Sequence, residues 1–449
     1  MYKRGPRLYK FLREHFELPS PRSLQRILSQ IPFETGINKV LLDQLKIKID
    51  EMHERNRYAS LIFDEMSLSK GYHYEAHKQI ISGYEDLGEL GRTVNGANHA
   101  LVFMIRGIRK SWKQVVAYYF TANNISCNNL KFLIKHIIEQ LQDIGVKIKA
   151  TICDQSSTQR RALLELSQEN NVRQISYTFM VRSEEIVIIF DVPHLLKNTR
   201  NALLRSDIKF NTHKTAKFTY IYNAFKIDQQ FPFKLLYKLK ESDFNFKDSY
   251  LKMKVRVAAR QLSRSVANAI NVWSVSNMND MFPAEALQTA EFVELIDNLF
   301  DSLNGWTTLP KHGKIYNCCL QDDSPHLDLW NKVLLQIPKW ELFDKVTGKN
   351  VTNTYQFVKG WEISIRSIIT LWNSLQTVGL KYLNLRNLNQ DSIENLFCQI
   401  RQHGISNTAP TCHQFIAALK TVILNNLSGP ITKIVKTITL KMCAVFVIL

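Results

Sequence analysis

The sequence predicts an α/β fold, preceded by a small helical unit and interrupted by a long, mainly helical stretch. Three observations predict it. Two apolar runs end in an aspartate, Leu61-Ile-Phe63 before Asp64 and Val146-Lys-Ile-Lys-Ala-Thr-Ile-Cys153 before Asp154. Between them lie further strand-like runs and one strongly amphipathic helix, the order of a sheet layered with helices. Beyond residue 195 the spacing of apolar residues becomes helical and stays so to about residue 375.

Residues 1–57 read as helices. Tyr9, Phe11, Leu12 and Phe16 share one side of a first helix. Ser20 and Pro21 are an N-cap and a first-turn proline for a second, which carries Leu24, Ile27, Leu28 and Ile31. A longer helix follows Gly36, through Val40, Leu41, Leu45 and Met52. Interspersed Lys3, Arg4, Arg7, Arg22 and Arg26 fit a helix-turn-helix DNA reader. A small bundle capping the next domain fits equally well.

Residues 58–194 form the first part of the α/β unit. Strands are expected at 61–63, 77–83, 100–108, 115–120, 146–153 and 184–190. The helix at 128–144 carries Leu130, Leu133, Ile134, Ile137, Ile138 and Leu141, with Gly145 as its stop. A meander, a helix and a returning strand place Asp64 and Asp154 on adjacent strand ends at one edge. Residues 195–378 form the helical insertion, with helices at 253–272, 284–303 and 355–378. Residues 379–430 complete the α/β unit, and 431–449 are an atypical tail.

Charge narrows the partners. The 449 residues carry a formal +18, with pI near 9.5, which favours a nucleic acid over an anionic membrane surface. Residues 191–260 alone hold 15 Lys+Arg against 6 Asp+Glu, a local +9. An apolar content of 45% with 22% charged residues excludes wholesale disorder. The seven cysteines form no C-x-x-C pair, so neither a disulfide framework nor a structural zinc is expected. The longest apolar run, Cys443-Ala-Val-Phe-Val-Ile-Leu449, is far short of the roughly 20 residues a membrane helix needs.

A third acidic element lies near residue 390. Asn389 or Asp391 can cap a helix whose apolar stripe is Ile393, Leu396, Phe397 and Ile400, and Asp391 and Glu394 share a face of its first turn. Asp64, Asp154 and these helix acids are a hard oxygen set suited to Mg²⁺ or Mn²⁺. Two such ions can support in-line phosphoryl transfer. No G-x-x-x-x-G-K-[ST] loop is present, so no nucleotide site is visible from motif alone.

Five motifs in order carry a resemblance: Leu61-Ile-Phe-Asp64-Glu-Met66, Ile152-Cys-Asp154-Gln155, Asp191-Val-Pro-His-Leu-Leu-Lys-Asn198, Lys252-Met-Lys-Val-Arg-Val-Ala-Ala-Arg-Gln-Leu-Ser263 and Gln390-Asp-Ser-Ile-Glu394-Asn-Leu-Phe397. Over about residues 8–425 the chain resembles the P-element transposase family, whose vertebrate relatives carry a THAP domain. The resemblance implies an RNase H-like fold split by a helical GTP-binding insertion. It also implies a DDE site that cuts and joins DNA with Mg²⁺ and GTP, as a homo-oligomer on transposon ends and target DNA in the nucleus. By position, Asp64, Asp154 and Glu394 are similar to the three metal-binding catalytic acids, and Asp391 to an additional acid beside them. Residues 191–198 then form the hinge into the insertion, with no role assigned to His194 or Lys197. Lys254, Val255 and Ser263 resemble one side of the nucleotide pocket, and Phe300, Asp301 and Asn304 the other. Lys238 or Lys240 adds a phosphate contact. Residues 1–57 contain no cysteine, so the zinc-coordinating THAP domain is expected to be missing. The alternative is a catalytically inactive, transposase-derived DNA-binding protein.

Overall fold

The strand Tyr58–Ser67 runs through the middle of a nine-stranded sheet, and its first six residues are buried on both faces. Continuous burial follows from strands on either side and helices above and below. In spatial order the sheet runs Thr178–Val181, Glu184–Phe190, Lys147–Cys153, Tyr58–Ser67, His99–Gly107, Lys113–Thr121, Tyr84–Asp86 and Arg92–Gly96, with Gly36–Ile37 also joined to Lys113–Thr121. The computed structural model describes residues 6–30, 33–76, 79–169, 177–246, 249–275, 282–311, 313–403 and 407–427. The predicted tail at 431–449 lies outside them.

Register decides what this sheet can do. Tyr58–Ser67 is antiparallel to His99–Gly107 and parallel to Lys147–Cys153, with Ile62 opposite Ile152. Lys147–Cys153 is in turn parallel to Glu184–Phe190, with Cys153 opposite Phe190. Asp64, inside its strand, therefore stands level with Asp154 and Asp191, which directly follow the two neighbouring parallel strands. The helix Cys127–Asp143 makes the crossover, burying all six predicted apolar positions, and ends before Gly145 at φ +84°. That left-handed conformation is why the stop residue is glycine.

The chain leaves the sheet through the helix Val192–Arg205 and returns through the helix Phe357–Thr377. The two are joined by buried polar contacts. Trp361 donates its indole N–H to Thr199 Oγ1 at 3.0 Å. Ser364 Oγ accepts from the Phe190 N–H at 3.0 Å and stands 3.2 Å from the Phe190 carbonyl. Between these helices, the insertion contains the helices Phe218–Asp228, Val255–Gln261, Arg264–Val275, Ala286–Leu303 and His326–Gln336.

Four local expectations change. The strand expected at 77–83 is a hairpin of His73–Glu75 with Ile80–Ser82, residues 77 and 78 lying outside the described residues. The single helix expected at 253–272 breaks at Leu262 and Ser263 into Val255–Gln261 and Arg264–Val275. The insertion also holds a three-stranded sheet, in which the hairpin of Ser206–Asn211 and Lys214–Ala216 is joined by Glu341–Asp344, a strand too far along the chain to reveal its pairing. Finally, the third N-terminal helix, Lys39–Asp50, packs on the main sheet. Gly36 and Ile37 pair with Tyr118 and Ala117, and Ile49 is wholly buried.

Gly360 marks the tightest point of the seam. A Cβ there would overlap the Gln155 carboxamide and the Leu195 side chain. Gly360→Ala is expected to cost about 1–3 kcal/mol by overpacking, read as a lowered midpoint in urea unfolding.

Candidate active site

Three distant chain segments meet at the carboxyl edge of the sheet. Asp64 lies within the strand Tyr58–Ser67, and Asp154 directly follows Lys147–Cys153. Glu394 comes from the first turn of the helix Asp391–Arg401, where the macrodipole favours a carboxylate. Burial, and then the charge of Asp154, push the Asp64 carboxyl up to about 7, and Glu394 adds to the rise. The Glu65 N–H at 2.8 Å and the charge of His194 act the other way. Glu65 is likewise pushed up to about 7 by burial and Asp154. Burial raises Glu394 as well, against the opposing pull of His194 and Lys197.

Asp191 holds this arrangement together. It is 1% exposed and caps the helix Val192–Arg205 by accepting from the His194 N–H at 3.0 Å. Its other oxygen accepts from the backbone N–H of Gln390 at 2.7 Å, 199 residues away. The imidazole Nδ1 of His194 lies 2.6 Å from Asp191 and 3.9 Å from Glu394. Burial opposes charge on that imidazole, but Asp191 outweighs it and the net shift is upward. Gln390 Nε2 donates to the Phe63 carbonyl at 3.0 Å, so the start of the Glu394 helix is tied directly to the Asp64 strand. Lys197 is lowered by burial and held up by Asp154, Asp191, Glu394 and Asp64.

Asp391 faces another way. Its carboxylate is 3.4 Å from Arg386 Nε and supports the charge of the half-buried Arg106. Arg106 donates to Asn387 at 2.8 Å and Ser392 at 3.3 Å, anchoring the approach to the helix. Asp391 opens that helix and Gln390 is its N-cap residue, with no side-chain cap bond, so neither Asn389 nor Asp391 caps it; Asn389, one residue earlier, accepts from the Asp391 N–H at 3.1 Å. The oxygen-only set of Asp64, Asp154 and Glu394 has the donor chemistry of a Mg²⁺ site, and their mutual repulsion is what a cation relieves. Among the described residues, however, no three such side chains close on one point.

A second site lies in the insertion, a cleft of about 290 Å³. Ser263, Phe300 and Asp301 line it, together with Lys238, Arg264 and Lys314. Asp301 accepts from Lys314 at 2.6 Å, and Asp297 lies 3.2 Å from the same ammonium. Lys254, Val255, Asn304 and Lys240 do not line this cleft. The Lys254 ammonium sits 4.2 Å from the Tyr250 ring centroid, and Val255 opens the helix Val255–Gln261. Asn304 accepts from Asn389 at 3.1 Å, linking the Ala286–Leu303 helix to the start of the Glu394 helix.

The sequence alone assigned no site role to Asp191, His194 or Lys197, and did not single out Lys314. Asp191 carried a signal, a third apolar run ending in an acid, this time before a Pro-containing first helical turn. Lys314 carried none.

Three family models match the chain in order. They are the TNP-like RNase H N-terminal domain at residues 33–167, the TNP-like GTP-binding insertion domain at 193–315 and the TNP-like RNase H C-terminal domain at 387–420. The chain belongs to the TNP-like, P-element-type transposase family. The fold is therefore RNase H-like and split by an insertion of the GTP-binding type. A curated relative, the transposable element P transposase of Drosophila melanogaster, is 26% identical over 436 residues, covering 94% of this chain and 52% of the relative. The chain thus spans about half the length of that TNP-like relative. A solved structure titled Drosophila P element transposase strand transfer complex superposes with a TM-score of 0.77 at 24% identity, covering 94% of this chain and 89% of the other. Among the described residues no helix is long and apolar enough to cross a membrane.

Two outcomes test the geometry. Asp191→Ala leaves the Gln390 and His194 N–H groups without their acceptor, and is expected to destabilise the fold by about 3 kcal/mol in urea unfolding. The Asp64 carboxyl has a folded pKa of about 7, above the unfolded value near 4. Between those values the metal-free folded chain retains a proton that the unfolded chain has lost, so Asp64 weakens the fold as pH rises through that window. Asp64→Asn should therefore raise the Tm at about pH 7, with the gain vanishing toward about pH 4. A lowered Tm at about pH 7 contradicts the charge crowding described above.

Proposed function

We propose that the chain is a DDE-type transposase, cutting and joining DNA with a divalent cation at Asp64, Asp154 and Glu394 and using GTP as a non-hydrolysed cofactor. The convergence of those three acids at one edge of an RNase H-like sheet supports this reading. Bound there, Mg²⁺ or Mn²⁺ would activate a water or 3′-hydroxyl and stabilise the leaving oxygen. Asp64 and Asp154 supply rigid oxygen donors, because Asp64 lies within a central strand and Asp154 directly follows another. Glu394 completes the set from a helix fixed by Asp191 and Gln390. Lys197, inside the same field of acids, is placed to receive a DNA phosphate and balance their charge. Asp391 acts from the adjoining surface with Arg386 and Arg106, as a positioning residue for the helix that carries Glu394.

In the insertion, Phe300 offers a face to a base, and Asp301 an acceptor for the N–H groups of guanine. Lys238, Arg264 and Lys314 supply positive charge for the phosphates. We assign Lys254, Val255 and Asn304 to the rim of this site, with Asn304 relaying its state to Asn389. Function on DNA implies a nuclear location and assembly of several copies on transposon ends and target.

One observation favours the inactive, DNA-binding alternative: the three acids do not close on one point. The same experiment separates the two readings. Purified protein with Mg²⁺ and GTP is expected to cleave or join DNA bearing the element's terminal repeats, and Asp64→Ala to abolish every product. Binding without any product supports the alternative, and unchanged cleavage by Asp64→Ala removes the site assignment. Asp301→Ala is expected to weaken GTP binding by at least about tenfold in calorimetry, the worth of a charged hydrogen bond.

A further inference from the structure

The helix Val192–Arg205 does more than connect the sheet to the insertion. At its first turns His194 and Lys197 face the acids. Along its second half Asn198, Asn201 and Arg205 recur at helical spacing and line a separate cleft of about 440 Å³ between the sheet edge and the insertion. This volume is in the range of small-ligand pockets. Gln155, the residue after Asp154, lines it from the sheet side, together with Phe246, Lys252 and Tyr355 from the insertion.

Several of its polar groups have no partner among the described residues. Gln155 uses its Nε2 to donate to the Gln356 carbonyl at 3.0 Å, while its Oε1 is buried with no hydrogen bond. Among the described residues, the Asn198 carboxamide makes no hydrogen bond, and neither Lys252 nor Arg205 forms an ion pair. The lysine is half-buried and the arginine exposed. A buried unsatisfied acceptor costs stability unless a ligand meets it. Two unpaired cations, an amide donor, an amide acceptor and two aromatic rings are the equipment for one nucleotide unit. The rings take the base face, the amides its edge, and the cations the phosphate.

We propose that this cleft binds a nucleotide of an unpaired DNA strand that continues from the acids. Lys197 and Arg205 are eight residues apart on one helix, about 12 Å along its axis, a short run of backbone. Gln155 adjoins Asp154 in the chain. A strand held at the acids is thereby led along the helix into the cleft. The inference takes the identity of its ligand from the DNA-acting function proposed above, but needs no catalysis.

The experiment measures binding of the full chain without divalent cations, to a labelled oligothymidine strand and to a blunt duplex. The parent is expected to prefer the single strand. Lys252→Gln with Arg205→Gln should weaken single-strand binding by at least about tenfold. It should also reduce the slope of log affinity against log salt by about 1.4, two phosphates at roughly 0.7 each. GTP binding in the double variant should match the parent, showing an intact fold. Undiminished single-strand binding by the double variant overturns the inference and leaves the catalytic reading standing. Free dTMP binding as tightly as the strand also overturns it, assigning the cleft to a free nucleotide. Failure of the parent to bind any DNA removes the DNA-acting function as well.

Discussion

One buried carboxylate determines whether the two halves of the sheet domain meet. Asp191 directly follows a core strand, caps the helix that leaves for the insertion, and receives the first turn of the helix that comes back. A carboxylate taken out of water must have its lone pairs filled, and here they are filled by groups from both halves. The geometry is self-checking. Without the returning helix, Asp191 is a buried charge lacking its donor from Gln390. Without Asp191, the segment leading to Glu394 loses its buried backbone acceptor and keeps only the side-chain bonds of Gln390, Asn389 and Ser392.

The crowding of acids follows from that constraint. Parallel pairing brings three aspartates level, and no single residue neutralises them. Asp191 is satisfied by hydrogen bonds. Burial first, and then the charge of Asp154, push the Asp64 carboxyl up to about 7. His194 and Lys197, one helical turn apart, place positive charge against the group without closing it off. The result is a negatively charged edge on a strongly basic chain, an arrangement that draws cations inward and phosphates to the surround.

Much of this was written locally in the chain. The strand end at Asp154 was legible because buried parallel strands leave continuous apolar runs, whereas the strand expected to stop before Asp64 runs on to Ser67 along its antiparallel partner His99–Gly107. The crossover helix was legible from its 3.6-residue stripe and Gly145. The link between Asp191 and Gln390 was not, because nothing local marks a hydrogen bond across 199 residues. Asp301 reads as an ordinary helical acid until Lys314, 13 residues on, is folded back against it. The small sheet of the insertion escaped for the same reason, since Ser206–Asn211 and Glu341–Asp344 pair across more than a hundred residues. The resemblance to P-element transposases supplied the GTP reading, which no motif in the chain announces.

The insertion and the acids are mechanically joined. Asn304 leaves the helix that bears Phe300 and Asp301 and bonds to Asn389, whose side chain accepts from the first N–H of the helix bearing Glu394. This contact and the Asp191 bond end on neighbouring residues, so the segment from Asn389 to Glu394 is where the whole construction is held. Hydrogen exchange at the Gln390 amide measures that hold directly. The account predicts protection equal to that of the central strand amides at Leu61 and Ile62, lost only with global unfolding. Exchange at the rate of an exposed loop would show that the buried bond does not persist, and that Asp191 does not fix the third acid.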